Sequence, residues 1–265
     1  LQNAIVCASR IFALIEEESQ IPDSADARVL EEGLVKGNVS LENVYFQYTP
    51  EKKLIQNFNL KVKPGQRVAI VGPTGCGKTT IANILAGIEP PTSGRVTIHG
   101  EQVDPKKHNI SFVFQEPSCV PWKTLIEDVM IGPTIKNIPA DRAAKRAAEV
   151  IELVGLTGFE NYYSRQLSGG MQQRVAIARA YVTDPDLLIM DEPFGHLDAQ
   201  TRYLMQGEIM RIWQQEHKTI VFITNNIEEA VFLASRIVVL SKLPASIKGT
   251  YDIALPHIIW KMNVL

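Results

Sequence analysis

The chain of 265 residues is short of cysteine, of long apolar runs and of clustered charge. Its three cysteines, Cys7, Cys76 and Cys119, are odd in number and far apart. Zinc ligands come in closer pairs and disulfide frameworks in even counts, so this set suits a reducing compartment. The longest uninterrupted apolar stretches, "AIVCA", "IFALI" and "AVFLA", are five residues each. Crossing a bilayer takes about 20. No secretory leader is readable either, and a soluble chain is expected. Lys and Arg number 27 against 29 Asp and Glu, a net charge of −2 without a block of either sign. Bulk electrostatic attraction to nucleic acid is thereby excluded, and no nucleic-acid partner is expected. Any anion has to be held by local groups.

What is present is a chain long enough for a sizeable core, in one large domain or two small ones. Leu1, Ile5, Ala8, Phe12 and Ile15 recur at helical spacing, and a polar segment with Pro22 follows, so residues 1–36 read as an amphipathic helix and linker. From Ser40 the pattern turns to short strands, "SLENVYF", "LIQNFNLKV" and "RVAIV", and later "RVTIHG", "ISFVF", "LLIM", "TIVFIT" and "RIVVL". Helical patterns lie between them at 78–86, 141–154, 168–182, 201–216 and 227–234. Short apolar strands alternating with helices predict an α/β fold with a largely parallel sheet covered on both faces.

Three motifs carry chemistry. "GPTGCGKT" follows the apolar strand "RVAIV" and opens a helix. Gly72, Gly75 and Gly77 allow successive N–H groups to point inward, Lys78 supplies a point charge and Thr79 an oxygen for Mg²⁺. The expected phosphate cradle comprises Gly72, Pro73, Thr74, Gly75, Cys76, Gly77, Lys78, Thr79 and Thr80, with Cys76 as packing or spacer; the plain alternative is a Gly-rich turn without a ligand. In "LLIMDEP", Asp191 emerges at the carboxyl end of a buried strand, where a carboxylate can hold Mg²⁺ through water. Its neighbour Glu192 can orient or deprotonate an attacking water. Alone, the pair would read as a solvated turn. In "LSGGMQQR", Ser168, Gly169 and Gly170 stand at a helix start and form a second anion site, or an ordinary capped helix. One nucleotide rarely needs two cradles from one molecule. Two chains sandwiching ATP, each giving one cradle, are therefore expected.

On these motifs residues 40–241 resemble the nucleotide-binding domain of an ATP-binding cassette (ABC) transporter, in which "LSGGMQQR" is the signature sequence. The resemblance implies a P-loop ATPase domain at 37–241, with a mainly parallel core, an antiparallel β subdomain, a helical subdomain at about 116–184 and a tail at 242–265. It implies ATP and Mg²⁺ as ligands and a head-to-tail homodimer. A transmembrane permease, an extracytoplasmic solute-binding protein acting indirectly and a peripheral place on the cytoplasmic membrane face also follow. Gln115 in "FVFQEP" resembles the glutamine that senses Mg²⁺ and the γ-phosphate. Tyr48 resembles the aromatic that stacks on adenine, with a surface strand aromatic as the plain alternative. Asp198 in "GHLDAQ" resembles the aspartate that communicates across the dimer.

Residues 1–81 resemble an ABC exporter, whereas "ILAGIEPPTSGRV", "VFQEPSCVPWKTLIEDV" and "DEPFGHLDAQTR" resemble the separate ATPase subunit of importers for nitrate, sulfonates, taurine and related solutes. A hybrid chain is the reading, with the importer part the longer. Trp122 is then either an anchor for the membrane partner or a core residue of the helical subdomain. In "ITNNIEEA" the family's γ-phosphate histidine aligns with Asn225, which can donate a hydrogen bond but cannot take up a proton or carry positive charge, and Asn226 reads as the helix cap. Binding should survive and hydrolysis should be slow. The function expected is an ATP-binding, ATP-hydrolysing subunit powering import of small solutes. An exporter fragment and a non-transport ABC ATPase that clamps as a dimer are the alternatives.

Overall fold

A computed structural model describes residues 37–195 and 197–253, with the backbone alone for Gln215 and Glu216. The expected helix and linker at 1–36, and residues 254–265 of the expected tail, lie outside the described residues.

Two sheets organise the chain. Strands β1 (Val39–Thr49) and β2 (Lys52–Val62) form a hairpin, and β4 (Ser93–Ile98) and β5 (Glu101–Gln102) complete an antiparallel sheet in the order β2-β1-β4-β5. The second sheet has the order β10-β9-β3-β8-β7-β6. Its parallel strands are β3 (Arg67–Val71), β6 (Ile110–Val113), β7 (Leu187–Asp191), β8 (Thr219–Thr224) and β9 (Arg236–Leu240). β10 (Ile247–Asp252) joins its edge antiparallel to β9.

Every residue of β3, β7 and β8 is buried. Strands covered on both faces need apolar side chains on both, hence "RVAIV", "LLIM" and "IVFI" without polar alternation. The two faces feed two cores. Val68, Ile70, Leu187, Ile189, Val221 and Ile223 pack with helix α1 (Lys78–Leu85) and the antiparallel sheet. Ala69, Val71, Leu188, Met190, Ile220 and Phe222 pack on the opposite side, as the two-residue period of a strand requires. That side carries α2 (Leu125–Val129), α3 (Ile131–Ile135), α4 (Ala140–Leu153), α5 (Gly169–Tyr181), α6 (Ala199–Glu216) and α7 (Ile227–Leu233).

Local chemistry sets the helix starts. Thr124 and Glu127 form a capping box at α2: the Glu127 N–H donates to Thr124 Oγ1 and the Thr124 N–H to Glu127 Oε2, at 3.5 and 2.8 Å. On α4 the buried positions Ala143, Ala147, Val150 and Ile151 fall four, three and one apart, one stripe of a helix.

The main sheet continues past residue 241, where the sequence reading drew the boundary of its ATPase domain, because β10 supplies its edge strand as far as Asp252. The pattern "IKGTYD" has too few apolar residues to announce a strand. Gly72, Gln115, Asp191 and Asn225 all follow the carboxyl ends of parallel strands or close them, so the sheet gathers them on one rim.

Candidate nucleotide-binding site

The loop after β3 is built by its glycines. Gly75 and Gly77 have φ of 78° and 96°, angles that L side chains rarely adopt. A methyl on Gly75 would meet nothing within 4 Å, whereas one on Gly77 would press on Leu54 Cγ at 3.2 Å. Leu54, on β2, thus shapes the loop from the antiparallel sheet, and no sequence motif announces it. Cys76 is buried, and its Sγ lies 2.9 Å from where a methyl on Gly72 would stand, a packing role. Lys78 Nζ donates to the Gly72 and Pro73 carbonyls at 2.9 and 3.1 Å, so the charge lies inside the loop's curve. Pro73, Thr74 and Thr79 are exposed, and Thr80 is buried. Tyr48 is 61% exposed, and its hydroxyl stands 3.3 Å from Thr80 Oγ1, which brings the aromatic ring to the same loop.

Asp191 closes β7 beside that loop and is buried. Burial pushes its carboxyl up; a hydrogen bond from Thr79 pulls it back, Glu192 adds to the rise and Lys78 opposes it. Its Oδ1 has no hydrogen-bond partner. A buried carboxylate oxygen left without a donor, beside a threonine hydroxyl and a lysine, fits a hard cation, so the residues present fit Mg²⁺. Among the described residues there is no cluster of three His, Cys, Asp or Glu to cage a metal, in keeping with a cation that completes its shell with water and phosphate oxygens.

Glu192 follows with φ of 42°, a left-handed conformation for a residue with a side chain. The turn aims its carboxylate at the end of β8, where Asn225 Nδ2 donates to Oε2 at 3.4 Å. A methyl on Gly195 would stand 3.6 Å from Gln115 Nε2 and 3.9 Å from Glu192 Oε2, so these two side chains reach the same point.

The second cradle stands elsewhere on the surface. Ser168 caps α5, its Oγ accepting from the Met171 N–H at 3.3 Å. A methyl on Gly169 would meet nothing, and one on Gly170 would strike Thr201 Cγ2 at 2.8 Å. Asp198 caps α6 by accepting from the Gln200 and Thr201 N–H groups at 3.1 and 3.0 Å, and hydrogen bonds from the Thr201 hydroxyl first, then from these N–H groups, hold its carboxyl below the usual range. The starts of α5 and α6 therefore meet, and no hydrogen bond among the described residues joins Ser168, Gly169 or Gly170 to the loop at 72–80.

A sequence profile described as ABC transporter matches residues 55–195, more than half of the chain. The chain belongs to the ABC transporter family. An uncharacterised ABC transporter ATP-binding protein of Methanocaldococcus jannaschii is 42% identical over 233 residues, covering 87% of each chain. The aliphatic sulfonates import ATP-binding protein of Bacillus cereus is 39% identical and covers 83% of this chain and 87% of its own. The taurine import ATP-binding protein of Pelagibacter ubique is 42% identical over 75% of each. A bacterial ABC transporter cassette solved as a dimer superposes with a TM-score of 0.71 at 32% identity, covering 81% of this chain and 98% of that one. A similarity spanning 83% of this chain necessarily crosses the P-loop into the strands before it.

Other placements follow. Trp122 is 76% exposed in this ABC subunit, which removes the reading of it as a core residue. Asn226 caps α7 as expected, its Oδ1 accepting from the Glu229 N–H at 3.2 Å. No helix among the described residues is long and apolar enough to cross a membrane.

Proposed function

We propose that this ABC ATPase powers uptake of small anionic or zwitterionic solutes of the sulfonate, taurine and nitrate type, working with a transmembrane permease from the cytoplasmic membrane face. An extracytoplasmic solute-binding protein would act with that permease rather than with this chain. The names of its importer relatives support the solute class, and the exposed indole of Trp122 favours docking on a partner over a free-standing dimer clamp. The observation that carries the chemistry is the gathering of Lys78, Thr79, Asp191, Glu192 and Asn225 on one rim of the sheet.

In this reading the residues from Gly72 to Thr80 hold the triphosphate, Lys78 neutralises it and Tyr48 offers a face to adenine. Thr79, Asp191 and Gln115 hold Mg²⁺, which supplies charge neutralisation at the phosphates. Glu192 orients the attacking water and accepts its proton. Asn225 donates one neutral hydrogen bond toward the γ-phosphate. Ser168, Gly169 and Gly170 of a second copy close the site from the opposite side, with Asp198 at the junction.

The first test is equilibrium MgATP titration. Lys78→Ala removes the charge without touching the core, and affinity should fall at least about tenfold, the size of one lost charged hydrogen bond. Unchanged affinity would remove the site assignment. For the solute, vesicles carrying the chain with its co-purified permease should accumulate taurine or an alkyl sulfonate only with MgATP on the face that carries the chain. Efflux in the same assay would favour the exporter reading.

A further inference from the structure

Beneath the nucleotide rim lies a group of buried polar side chains to which the reading above gives no part. Glu229, in the first turn of α7, is 6% exposed. The Thr224 hydroxyl donates to its Oε2, and Gln206 Nε2 of α6 donates to its Oε1 at 3.2 Å. Thr224 and Gln206 are themselves buried. Burial pushes the Glu229 carboxyl up, while Thr224, Gln206 and the charge of Arg202 pull it back and Glu192 adds to the rise. Arg202 in turn donates to the Leu197 carbonyl at 3.0 Å, next to Asp198.

These contacts converge on one short turn. Thr224 Oγ1 accepts from the Asn226 N–H at 3.0 Å, and Asn226 Oδ1 accepts from the Glu229 N–H at 3.2 Å. Asn225 is the residue between, exposed, with its amide on Glu192. Its neighbours on both sides are tied to Glu229 while its own side chain is left free to face the rim. A buried carboxylate is a costly way to join a helix to a strand, because an apolar pair of the same volume would avoid its desolvation. What the carboxylate adds is direction: two acceptor oxygens set the turn against α6 in one geometry.

We infer that Glu229 is a positioning residue for hydrolysis, which fixes the Thr224–Asn226 turn against α6 so that Asn225 stands at Glu192. The inference rests on the reading that Asn225 acts in the ATPase site. Gln206 ties the same carboxylate to α6, and Arg202, in the first turn of that helix beyond Asp198, acts on it through its charge.

Phosphate release and MgATP affinity are to be measured on the full chain for wild type, Asn225→Ala, Glu229→Ala, Glu229→Gln and the double variant Asn225→Ala/Glu229→Ala. Glu229→Ala should lower kcat about tenfold and leave Kd within about twofold, the signature of a group that matters only in the transition state. In the Asn225→Ala background it should cost less than about twofold more, since two residues acting through one group are not additive. Glu229→Gln can keep the Gln206 bond on its oxygen and reverse the other, its amide donating to Thr224 Oγ1, and should recover most of the loss. Thr224→Val cuts one of those bonds with a smaller change of shape and should act like Glu229→Ala, so the inference remains testable if the alanine variant folds poorly. An equal loss of kcat in both backgrounds, or a parallel loss of affinity, would overturn it and leave the ATPase reading of Asn225 standing. Asn225→Ala without effect on kcat would overturn both.

Discussion

Glu192 keeps its left-handed backbone because two hydrogen bonds over-determine it: its N–H donates to the Ile223 carbonyl at 2.8 Å and its carbonyl accepts from the Gly195 N–H at 3.0 Å. Such a conformation costs about 1–3 kcal/mol and is retained where direction matters. Here it turns the carboxylate from the strand toward Asn225. If Asn225 holds the place of a γ-phosphate sensor, Asn225→His should raise kcat by roughly 10²-fold, the worth of one preorganised donor, with little change in nucleotide affinity. Steady-state phosphate release decides it, and a wild type already as fast as the histidine variant would end the claim of slow hydrolysis. The thiols give a second expectation at this scale. Burial pushes Cys119 to about 11, with Asp128 adding and Arg179 opposing, and raises Cys76 in the P-loop. Since the thiolate is the reactive form, alkylation of Cys119 at pH 8 should run about a hundredfold slower than for a free thiol, and that of Cys76 should be slowed as well. Timed labelling with peptide mass spectrometry measures it, and rapid modification in the native chain would contradict the burial.

At the scale of elements, the segment leading from Gln115 to Trp122 depends on an ion pair with a buried carboxylate and a partly exposed guanidinium. Arg179 of α5 donates to Asp128 Oδ1 at 2.8 Å and to the Ser118 carbonyl at 2.7 Å, and Asp128 Oδ2 accepts from the Val120 N–H at 2.8 Å. Asp128→Ala leaves the Val120 N–H and a partly exposed guanidinium without their acceptor, so it should destabilise the fold by about 2 kcal/mol in a denaturant titration. A loss below about 1 kcal/mol would mean that water or a rearranged side chain replaces the pair. This anchor was not legible in the sequence, because Asp128 and Arg179 are 51 residues apart and neither belongs to a motif. The long strands and helices were legible. "RVAIV", "TIVFIT" and "RIVVL" became β3, β8 and β9, since fully buried strands leave unbroken apolar runs. α2 and α3, five residues each, were not, because one turn and a half has no period to read. In the site, residues inside local motifs could be found from spacing, whereas Leu54, Thr224, Gln206 and Glu229 act only through contacts that folding creates.

For the whole molecule, the separation of the two cradles is the decisive feature. The loop at 72–80 follows the central strand of one sheet, while Ser168, Gly169 and Gly170 open α5 and touch α6 instead. If ATP is sandwiched head to tail, each site takes its P-loop from one copy and its signature residues from the other. Two single variants then test the arrangement without a structure of the complex. Lys78→Ala disables the P-loop, and Ser168→Arg fills the signature site at an exposed position, costing about 1 kcal/mol of helix capping. Each should be inactive alone. Mixed in equal amounts, half of the dimers are mixed by chance, and each of those carries one site with an intact P-loop facing an intact signature. Phosphate release should return to about a quarter of the wild-type rate if the two sites fire independently. Light scattering in MgATP reports the dimer fraction, and Glu192→Gln should prolong that dimer by blocking its hydrolysis. A mixture that forms dimers yet stays as inactive as either parent would show that one chain supplies both cradles to its own nucleotide, and the composite site would have to be abandoned.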